Sequence, residues 1–191
     1  ETNPEIGKEI LAALKPVKDW PKPGINFADI TPVLLNASLF SDITYELGVR
    51  IEAVNGTMPR NDNVVVAGLD ARGFIFGAAC ANELNLGFLM VRKASKVPRS
   101  NESEIYVVEY DLEYGKDSVG IRRDVDLTGK VVILVDDLIA TGGTLAASCE
   151  LMKLAGAADI ICACVIDIPA LGGSARLEEL TGNPVISLAT L

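Results

Sequence analysis

The chain has 191 residues, of which 49% are hydrophobic, and its 26 acidic and 17 basic side chains give a formal net charge of −9. This length suits one domain spanning residues 1–191, and the apolar fraction excludes disorder as a global description. The acidic balance argues against a nucleic-acid partner, which needs a basic footprint, and no apolar run is long enough to cross a bilayer, so we expect no membrane partner either.

The four cysteines indicate a reducing environment. They occur in apolar helical or strand contexts, without the paired spacing of a zinc site, at Cys80, Cys149, Cys162 and Cys164. We therefore expect buried free thiols. The charged first residues do not resemble a signal peptide, so the predicted location is cytoplasmic.

The N-terminal third is predicted to contain two helices and an arm. Residues Glu5–Leu14 and Leu39–Asn55 have the spacing of amphipathic helices, and Lys15–Gly24 is rich in proline. We treat residues 1–36 as an N-terminal arm.

Beyond residue 63, strands and helices alternate. The predicted strands are Val64–Ala67, Gly87–Val91, Val131–Val135 and Asp159–Asp167. Helices are predicted from Phe74 to Leu84 and from Thr144 to Gly156, each following a turn. This order predicts an α/β fold, with a mostly parallel twisted sheet flanked by helices and joined by right-handed crossovers.

Residues 96–123 interrupt this alternation. They contain charges, turns and short β-like runs, but no helical period. A long excursion inside a compact domain is usually functional or disordered. We interpret it as a flexible hood loop over the site, carrying Tyr110 and Tyr114.

The segment from Val131 to Thr144 predicts a site for a phosphorylated sugar. Asp136 and Asp137 follow the buried strand, at the edge where open α/β sheets place their ligands. The loop after them precedes a helix, whose first N–H groups lack partners, so its backbone and hydroxyl groups can hold a 5′-phosphate while the carboxylates hold ribose hydroxyls. This cradle consists of Ala140, Thr141, Gly142, Gly143 and Thr144. The alternative is a helix capped by Thr144, with solvated aspartates.

This segment resembles the phosphoribosyl pyrophosphate motif of the type I phosphoribosyltransferases, and further motifs extend the likeness from about Pro21 to the C-terminus. The resemblance implies the type I phosphoribosyltransferase fold and transfer of the phosphoribosyl group to N9 of adenine, giving AMP and pyrophosphate. It also implies a homodimer. Mg²⁺ is expected as cofactor, carried mainly by pyrophosphate and ribose oxygens rather than by a set of protein ligands.

The turn Leu69–Phe74 is predicted to reach the same sheet edge, where Arg72 could clamp a pyrophosphate. The resemblance implies a cis peptide between Asp70 and Ala71. The pyrophosphate ligands implied are Asp70, Ala71, Arg72, Arg92, Lys93 and Lys96, some of them possibly from a neighbouring subunit. Alternatively, Arg72 pairs with Asp70 at the surface. We expect Arg99 to be exposed to solvent without a role in the site.

Residues Pro23–Pro32 resemble the family's adenine pocket. The implied adenine contacts are Asn26, Phe27, Ala28 and Leu138. Phe27 would stack on the base, which alone accepts any purine. Many relatives carry arginine in place of Ala28, which leaves the strictness of base choice open, and Phe27 could equally be a core aromatic that anchors the arm.

The chain has no histidine, so proton transfer near neutral pH falls to a carboxylate, lysine, tyrosine or water. The segment Asp111–Lys116 matches the family's L-E-Y-G motif, and the resemblance makes Glu113 the acid/base residue. The alternative is a loop charge that never meets substrate. Together with Asp137 and Arg72, Glu113 completes the expected catalytic set.

Three other functions remain open at this stage. One is a phosphoribosyltransferase for xanthine or hypoxanthine, and another is a regulator that binds phosphoribosyl pyrophosphate without catalysis. A plain dinucleotide binder is disfavoured, because the glycine fingerprint G-x-G-x-x-G is absent.

Overall fold

A computed structural model describes residues 3–20, 22–24, 26–54, 63–112 and 115–191, apart from the side chains of Asn26 and Leu112. The helices are α1 (Ile6–Ala13), α2 (Thr31–Leu35), α3 (Ala37–Val54), α4 (Gly73–Glu83), α5 (Gly143–Leu154) and α6 (Gly173–Thr181). The strands are β1 (Lys15–Lys18), β2 (Asn26–Asp29), β3 (Val64–Leu69), β4 (Gly87–Lys93), β5 (Ile105–Leu112), β6 (Gly115–Arg122), β7 (Val131–Ile139), β8 (Asp159–Asp167) and β9 (Ile186–Thr190). Within the described residues, none of the helices combines the length and apolar character needed to span a bilayer.

The main sheet has seven strands in the order β5-β6-β4-β3-β7-β8-β9. Five of them, from β4 to β9, pair in parallel, while β6 pairs antiparallel with both β4 and β5. One face packs against α1, α3 and α4, and the other against α5 and α6. The central strands are runs of Val, Ile and Leu because both of their faces are covered. The predicted mostly parallel sheet is confirmed.

Strand β7 is longer than its sequence predicts. It continues to Ile139, so Asp136 and Asp137 lie within the strand rather than after it. The reason is β8, which pairs with β7 as far as Ile139 opposite Asp167. The ladder therefore fixes the backbone of the acidic pair.

The segment predicted as a hood forms regular structure over most of its length. Strands β5 and β6 make an antiparallel hairpin, paired from Ile105 opposite Arg122 to Leu112 opposite Gly115. The hairpin joins the main sheet because Lys93 of β4 lies opposite Val119 of β6. Strands β5 and β6 thus extend the sheet beside the site, and the flexibility of residues 96–123 stays a prediction.

Arg99 has a structural role that we did not expect. Its guanidinium donates to the carbonyl oxygens of Ala94 at 2.7 Å and Val97 at 3.0 Å, and its side chain is only 21% exposed. The prediction of a solvated charge is wrong, because the connector between β4 and β5 curls around this arginine and uses it to satisfy its carbonyl groups.

The N-terminal arm is built on a second, two-stranded sheet. Strands β1 and β2 pair antiparallel, with Val17 opposite Phe27. The ring of Trp20 meets the Phe27 ring edge-on, at 4.6 Å between centroids. This small sheet presents Phe27 toward the carboxyl edge of the main sheet, where it approaches Arg72.

Candidate active site

Three polar segments converge at the carboxyl edge of the main sheet. The registers align the end of β3 with β7, at Gly68 opposite Val135, and with β4, at Leu69 opposite Val91. The N–H of Asp70 donates to the carbonyl of Val91 at 3.0 Å, which fixes the start of the turn. The turn at residues 70–72, the basic end of β4 and the acidic pair of β7 are therefore neighbours, as parallel strands require.

The cradle lies between β7 and α5. Gly142 has a φ of +73°, a left-handed conformation that favours glycine. Helix α5 starts at Gly143, so its first N–H groups point into the loop and lack helical partners. A cavity of about 370 Å³ opens here, lined by the whole cradle together with Asp136, Leu138 and Tyr110. Its N–H groups suit an anion.

A second cavity, of about 730 Å³, lies on the far side of Tyr110 between β5, α5 and α6. Of the residues that we predicted for the site, it is lined only by Tyr110 and Gly143. Although it is larger, its walls mix acids with Lys153 and Arg176, and it does not include the acidic pair. The chemistry belongs to the smaller cavity at the cradle.

Gly173 supports the cradle from behind, and sequence reasoning missed it. Its N–H donates to the carbonyl oxygen of Ala140 at 3.1 Å. A Cβ at this position would collide with that same oxygen and would lie 2.7 Å from the nitrogen of Gly142. The available signal was the pair Gly172-Gly173 after β8, which marks a second strand-to-helix turn like the one at the cradle.

The two aspartates of β7 differ in environment. Asp137 is nearly fully buried, and its Oδ2 accepts no hydrogen bond. The Oδ1 of Asp136 accepts from the N–H of Asp137 at 2.9 Å. Burial, followed by the charge of Asp137, raises the pKa of Asp136 well above its usual range. The pair is therefore costly to ionise fully without a positive group beside it.

Arg72 supplies such a group. Its Nε lies 3.1 Å from Oδ2 of Asp137, at ion-pair distance but outside the angle of a hydrogen bond. Its guanidinium carbon lies 5.4 Å from the centroid of the Phe27 ring. Arg72 thus connects the carboxylate predicted for ribose with the ring predicted for the base. The surface pairing of Arg72 with Asp70 is not observed.

Asp70 pairs instead with Lys96, at 3.4 Å between Nζ and Oδ1. The peptide bond between Asp70 and Ala71 is cis, as the family resemblance implied. The predicted pyrophosphate loop and Lys96 are therefore in contact, which places this lysine at the site edge.

Arg92 and Lys93 point to opposite faces of β4, as successive residues in a strand do. Nζ of Lys93 lies 2.8 Å from Oδ2 of Asp117 on the hairpin. Arg92 has a buried Nε without a hydrogen bond and lines a groove with Met90 and Pro98. Within one chain, only Lys93 of this dipeptide connects to the residues around the cradle.

The predicted adenine contacts are partly in place. Phe27 and Ala28 lie half-buried in β2, and Leu138 lines the cradle cavity. The side chain of Asn26 lies outside the described part of the structure. Glu113 and Tyr114 also lie outside the described residues, so the acid/base role of Glu113 stays a prediction.

A parallel sheet that presents an acidic pair and a glycine-bearing cradle at its carboxyl edge defines an α/β protein that binds a phosphorylated sugar. Residues 51–178 match the model of a family described as the phosphoribosyl transferase domain. The chain belongs to this phosphoribosyltransferase family.

Several relatives share nearly the whole chain. It is 45% identical over 179 residues to the adenine phosphoribosyltransferase of Bordetella parapertussis, covering 94% of this chain and 87% of the relative. The structure of adenine phosphoribosyltransferase from Thermoanaerobacter pseudethanolicus matches with a TM-score of 0.79 at 39% identity, covering 96% of this chain and 99% of that one. The Saccharomyces cerevisiae enzyme, complexed with an imino-altritol bisphosphate and adenine, matches with a TM-score of 0.83 at 33% identity, covering 96% and 98%.

Proposed function

We propose that this protein transfers the 5-phosphoribosyl group of phosphoribosyl pyrophosphate to N9 of adenine, giving AMP and pyrophosphate in purine salvage. The observation that carries the proposal is the buried carboxylate of Asp137, which lies just before the cradle and whose Oδ2 accepts no hydrogen bond. The named relatives support the same reaction, since they are adenine phosphoribosyltransferases over nearly the full length of this chain.

In this mechanism the cradle binds the 5′-phosphate through the N–H groups at the start of α5 and the hydroxyls of Thr141 and Thr144. The carboxylates of Asp136 and Asp137 hold the ribose hydroxyls. As the bond from the anomeric carbon to pyrophosphate breaks, positive charge develops on the ribose. A carboxylate held in a buried position stabilises that charge without reorganising.

Arg72 stabilises the negative charge of the leaving pyrophosphate. Its guanidinium stands beside Asp137 and reaches the departing pyrophosphate by rotating away from the Phe27 ring, which it faces at 5.4 Å. Asp70, Ala71, Arg92, Lys93 and Lys96 complete the pyrophosphate end. The half-buried Phe27 stacks on adenine, with Asn26, Ala28 and Leu138 around the base. N9 of adenine forms the new bond to the anomeric carbon as pyrophosphate leaves, and Glu113 accepts the proton that the purine loses.

The cofactor proposed is Mg²⁺. The donors that the site offers are carboxylate oxygens, which this ion prefers, and Oδ2 of Asp70 and of Asp137 are buried without a hydrogen bond. We propose that substrate oxygens supply most of the ligands of this ion. When bound, Mg²⁺ neutralises charge on the pyrophosphate.

We also propose a cytoplasmic homodimer. Phe88 and Met90, on one face of β4, are 36% and 50% exposed, and Arg92 follows them on the same face. A second copy covering these side chains would bury apolar area and bring Arg92 toward the partner's site. Four buried free thiols suit the reducing cytoplasm. Light scattering should report a dimer for the wild type and a monomer for Met90→Glu.

The experiment that tests the function measures pyrophosphate release with adenine, hypoxanthine, guanine and xanthine, each with and without Mg²⁺. Turnover confined to adenine and dependent on Mg²⁺ supports the proposal. Preference for a 6-oxopurine would replace it with the xanthine or hypoxanthine reaction. Tight binding of phosphoribosyl pyrophosphate without any product would indicate a regulator.

A further inference from the structure

Asp117 of β6, which the predicted site does not include, is the centre of a chain of polar contacts between residues that it does include. Its Oδ2 lies 2.8 Å from Nζ of Lys93 on β4 and accepts from the phenol of Tyr110 on β5 at 3.3 Å. Tyr110 lies directly opposite Asp117 in the hairpin register. One carboxylate oxygen therefore joins three neighbouring strands at their cradle end.

Tyr110 carries this chain to the cradle. The side chain of Thr144 interacts with the Tyr110 phenol and opposes the rise in its pKa that burial causes. The ring also lies against the start of α5, since a Cβ added to Gly143 would be 3.8 Å from Cδ2 of Tyr110. Asp117 thus links a lysine of the basic rim, through one tyrosine, to the loop that binds the 5′-phosphate.

The charges and exposure of Lys93 and Asp117 indicate an ion pair that can break when a stronger anion binds the lysine. The hydrogen bond from Lys93 lowers the pKa of Asp117, and the same bond raises the pKa of Lys93, so both groups are ionised at neutral pH. The Asp117 side chain is 23% exposed and that of Lys93 is 47% exposed. Because solvent reaches the lysine, its ammonium can turn from one carboxylate to a more highly charged anion.

We propose that Asp117 is a positioning residue for the transfer reaction. It orients the ammonium of Lys93 toward the pyrophosphate end of the substrate and, through Tyr110, docks the β5–β6 hairpin on the cradle. Without it, Lys93 keeps its charge but loses its direction, and the hairpin loses its polar contact with Thr144. This inference rests on the proposed function, because that function assigns pyrophosphate to Lys93.

The test compares Asp117→Asn with a matched control, Asp124→Asn. Asp124 also pairs with an arginine near the end of β6, at 2.6 Å from NH2 of Arg122, but it lies on the surface away from the cradle. For Asp117→Asn, the KM for phosphoribosyl pyrophosphate in synthesis and the KM for pyrophosphate in the reverse reaction should each rise about tenfold. The KM for adenine should stay within about twofold.

Three further variants separate positioning from simple structural support. Asp117→Glu should recover part of the loss, because it restores the negative charge. Tyr110→Phe should raise the KM for phosphoribosyl pyrophosphate less than Asp117→Asn does, since Lys93 stays oriented. Relative to Lys93→Ala alone, the double variant Lys93→Ala with Asp117→Asn should raise the KM for phosphoribosyl pyrophosphate by no more than Tyr110→Phe does, because the rest of the effect of Asp117 passes through that lysine.

Calorimetry of phosphoribosyl pyrophosphate binding without adenine separates failure of the positioning role from failure of the proposed transferase function. If the wild type forms no AMP but binds this ligand about tenfold more tightly than Asp117→Asn, the positioning role stands and the transferase function fails. Unchanged KM values in Asp117→Asn would overturn the positioning role. So would additive losses in the double variant, or an equal rise in every KM accompanied by a lowered Tm.

Discussion

Nε of Arg72 lies 3.1 Å from Oδ2 of Asp137, a buried oxygen that accepts no hydrogen bond. A buried carboxylate in this state is stabilised by one neighbouring cation and has free capacity for another positive group. In the resting protein the cation is Arg72. In the proposed reaction, the positive charge that develops on the ribose takes that place, because Arg72 would then turn to the leaving pyrophosphate. The contact between Arg72 and Asp137 thus stabilises a buried carboxylate that we expect to face the ribose.

Asp137→Asn tests this directly. The amide keeps the size and shape of the side chain but loses the charge that opposes the ribose cation, so kcat should fall about 100-fold, the usual effect of removing one electrostatic contact to a transition state. Initial rates of AMP formation measure it. The exposed Asp42→Asn on α3 removes the same charge at a distance and should leave kcat unchanged. A normal kcat in Asp137→Asn would remove the assigned role.

Asp136→Asn should stabilise the protein while impairing it. The pKa of Asp136 is raised by burial and by Asp137, so the folded state binds more protons than the unfolded state above the ordinary aspartate range. Stability from this group is therefore present at low pH and is lost as pH rises toward the raised pKa. The asparagine does not titrate and keeps an oxygen for the N–H of Asp137. At neutral pH its Tm should exceed that of the wild type by about 2–4 °C, corresponding to roughly 1 kcal/mol.

Thermal melts of the wild type and Asp136→Asn between about pH 4 and pH 7 show whether the Tm difference changes with pH in the expected direction. The advantage of Asp136→Asn should grow as pH rises, and AMP formation should fall at every pH. A Tm difference that is constant with pH would mean that Asp136 has an ordinary pKa in the folded state. The control is Asp126→Asn at an exposed position: hydrogen bonds from Thr128 lower the pKa of Asp126, so this group titrates below the pH range of the melts and the Tm difference should stay nearly constant.

The sequence contains enough to predict the sheet and the position of the cradle, because buried runs such as Val131–Val135 and the glycines after them are local signals. The end of β7 could not be predicted in the same way. Asp136 and Asp137 are poor strand formers, and only pairing with β8 as far as Ile139 keeps them extended. The hairpin was likewise hidden, since its strands are set by pairing with each other and with β4.

Among the site residues, too, positions could be predicted from local sequence signals but contact partners could not. Arg72 and Lys93 could be placed at the sheet edge from the strand-to-helix order, but their partners Asp137 and Asp117 are distant in sequence. Arg99 could not be told from a surface charge, because its partners are backbone carbonyls of its own loop. Contacts of these kinds depend on the tertiary structure, so no spacing of residues in the sequence predicts them.

Gly173→Ala should damage the cradle without touching a proposed ligand. The added methyl group would meet the carbonyl of Ala140 and the nitrogen of Gly142 at 2.7 Å, and both are backbone atoms that cannot move aside alone. Overpacking of this kind costs about 1–3 kcal/mol, so the Tm should fall by several degrees. The KM for phosphoribosyl pyrophosphate should rise about tenfold or more, because the N–H groups of the loop lose their alignment.

Gly87→Ala is the matched control for that variant. A Cβ there meets nothing closer than Cγ2 of Val65 at 4.0 Å, so the same methyl group is added at the start of β4 without a clash. It should leave the Tm and both KM values close to those of the wild type. If Gly173→Ala bound phosphoribosyl pyrophosphate normally, the loop before α6 would have no part in shaping the cradle.

Phe27 decides whether the N-terminal arm binds the base. Phe27→Ala should raise the KM for adenine about tenfold or more, since stacking of a base on an aromatic ring contributes about 1–3 kcal/mol, while the KM for phosphoribosyl pyrophosphate should change little. The ring also contacts Trp20, so its removal could loosen the arm instead. Trp20→Leu separates these readings, because it removes the edge-on partner, which is 52% exposed, and leaves Phe27 in place. A rise in the adenine KM for Phe27→Ala alone places the base on Phe27. An equal rise in both variants would instead make Phe27 an anchor of the arm.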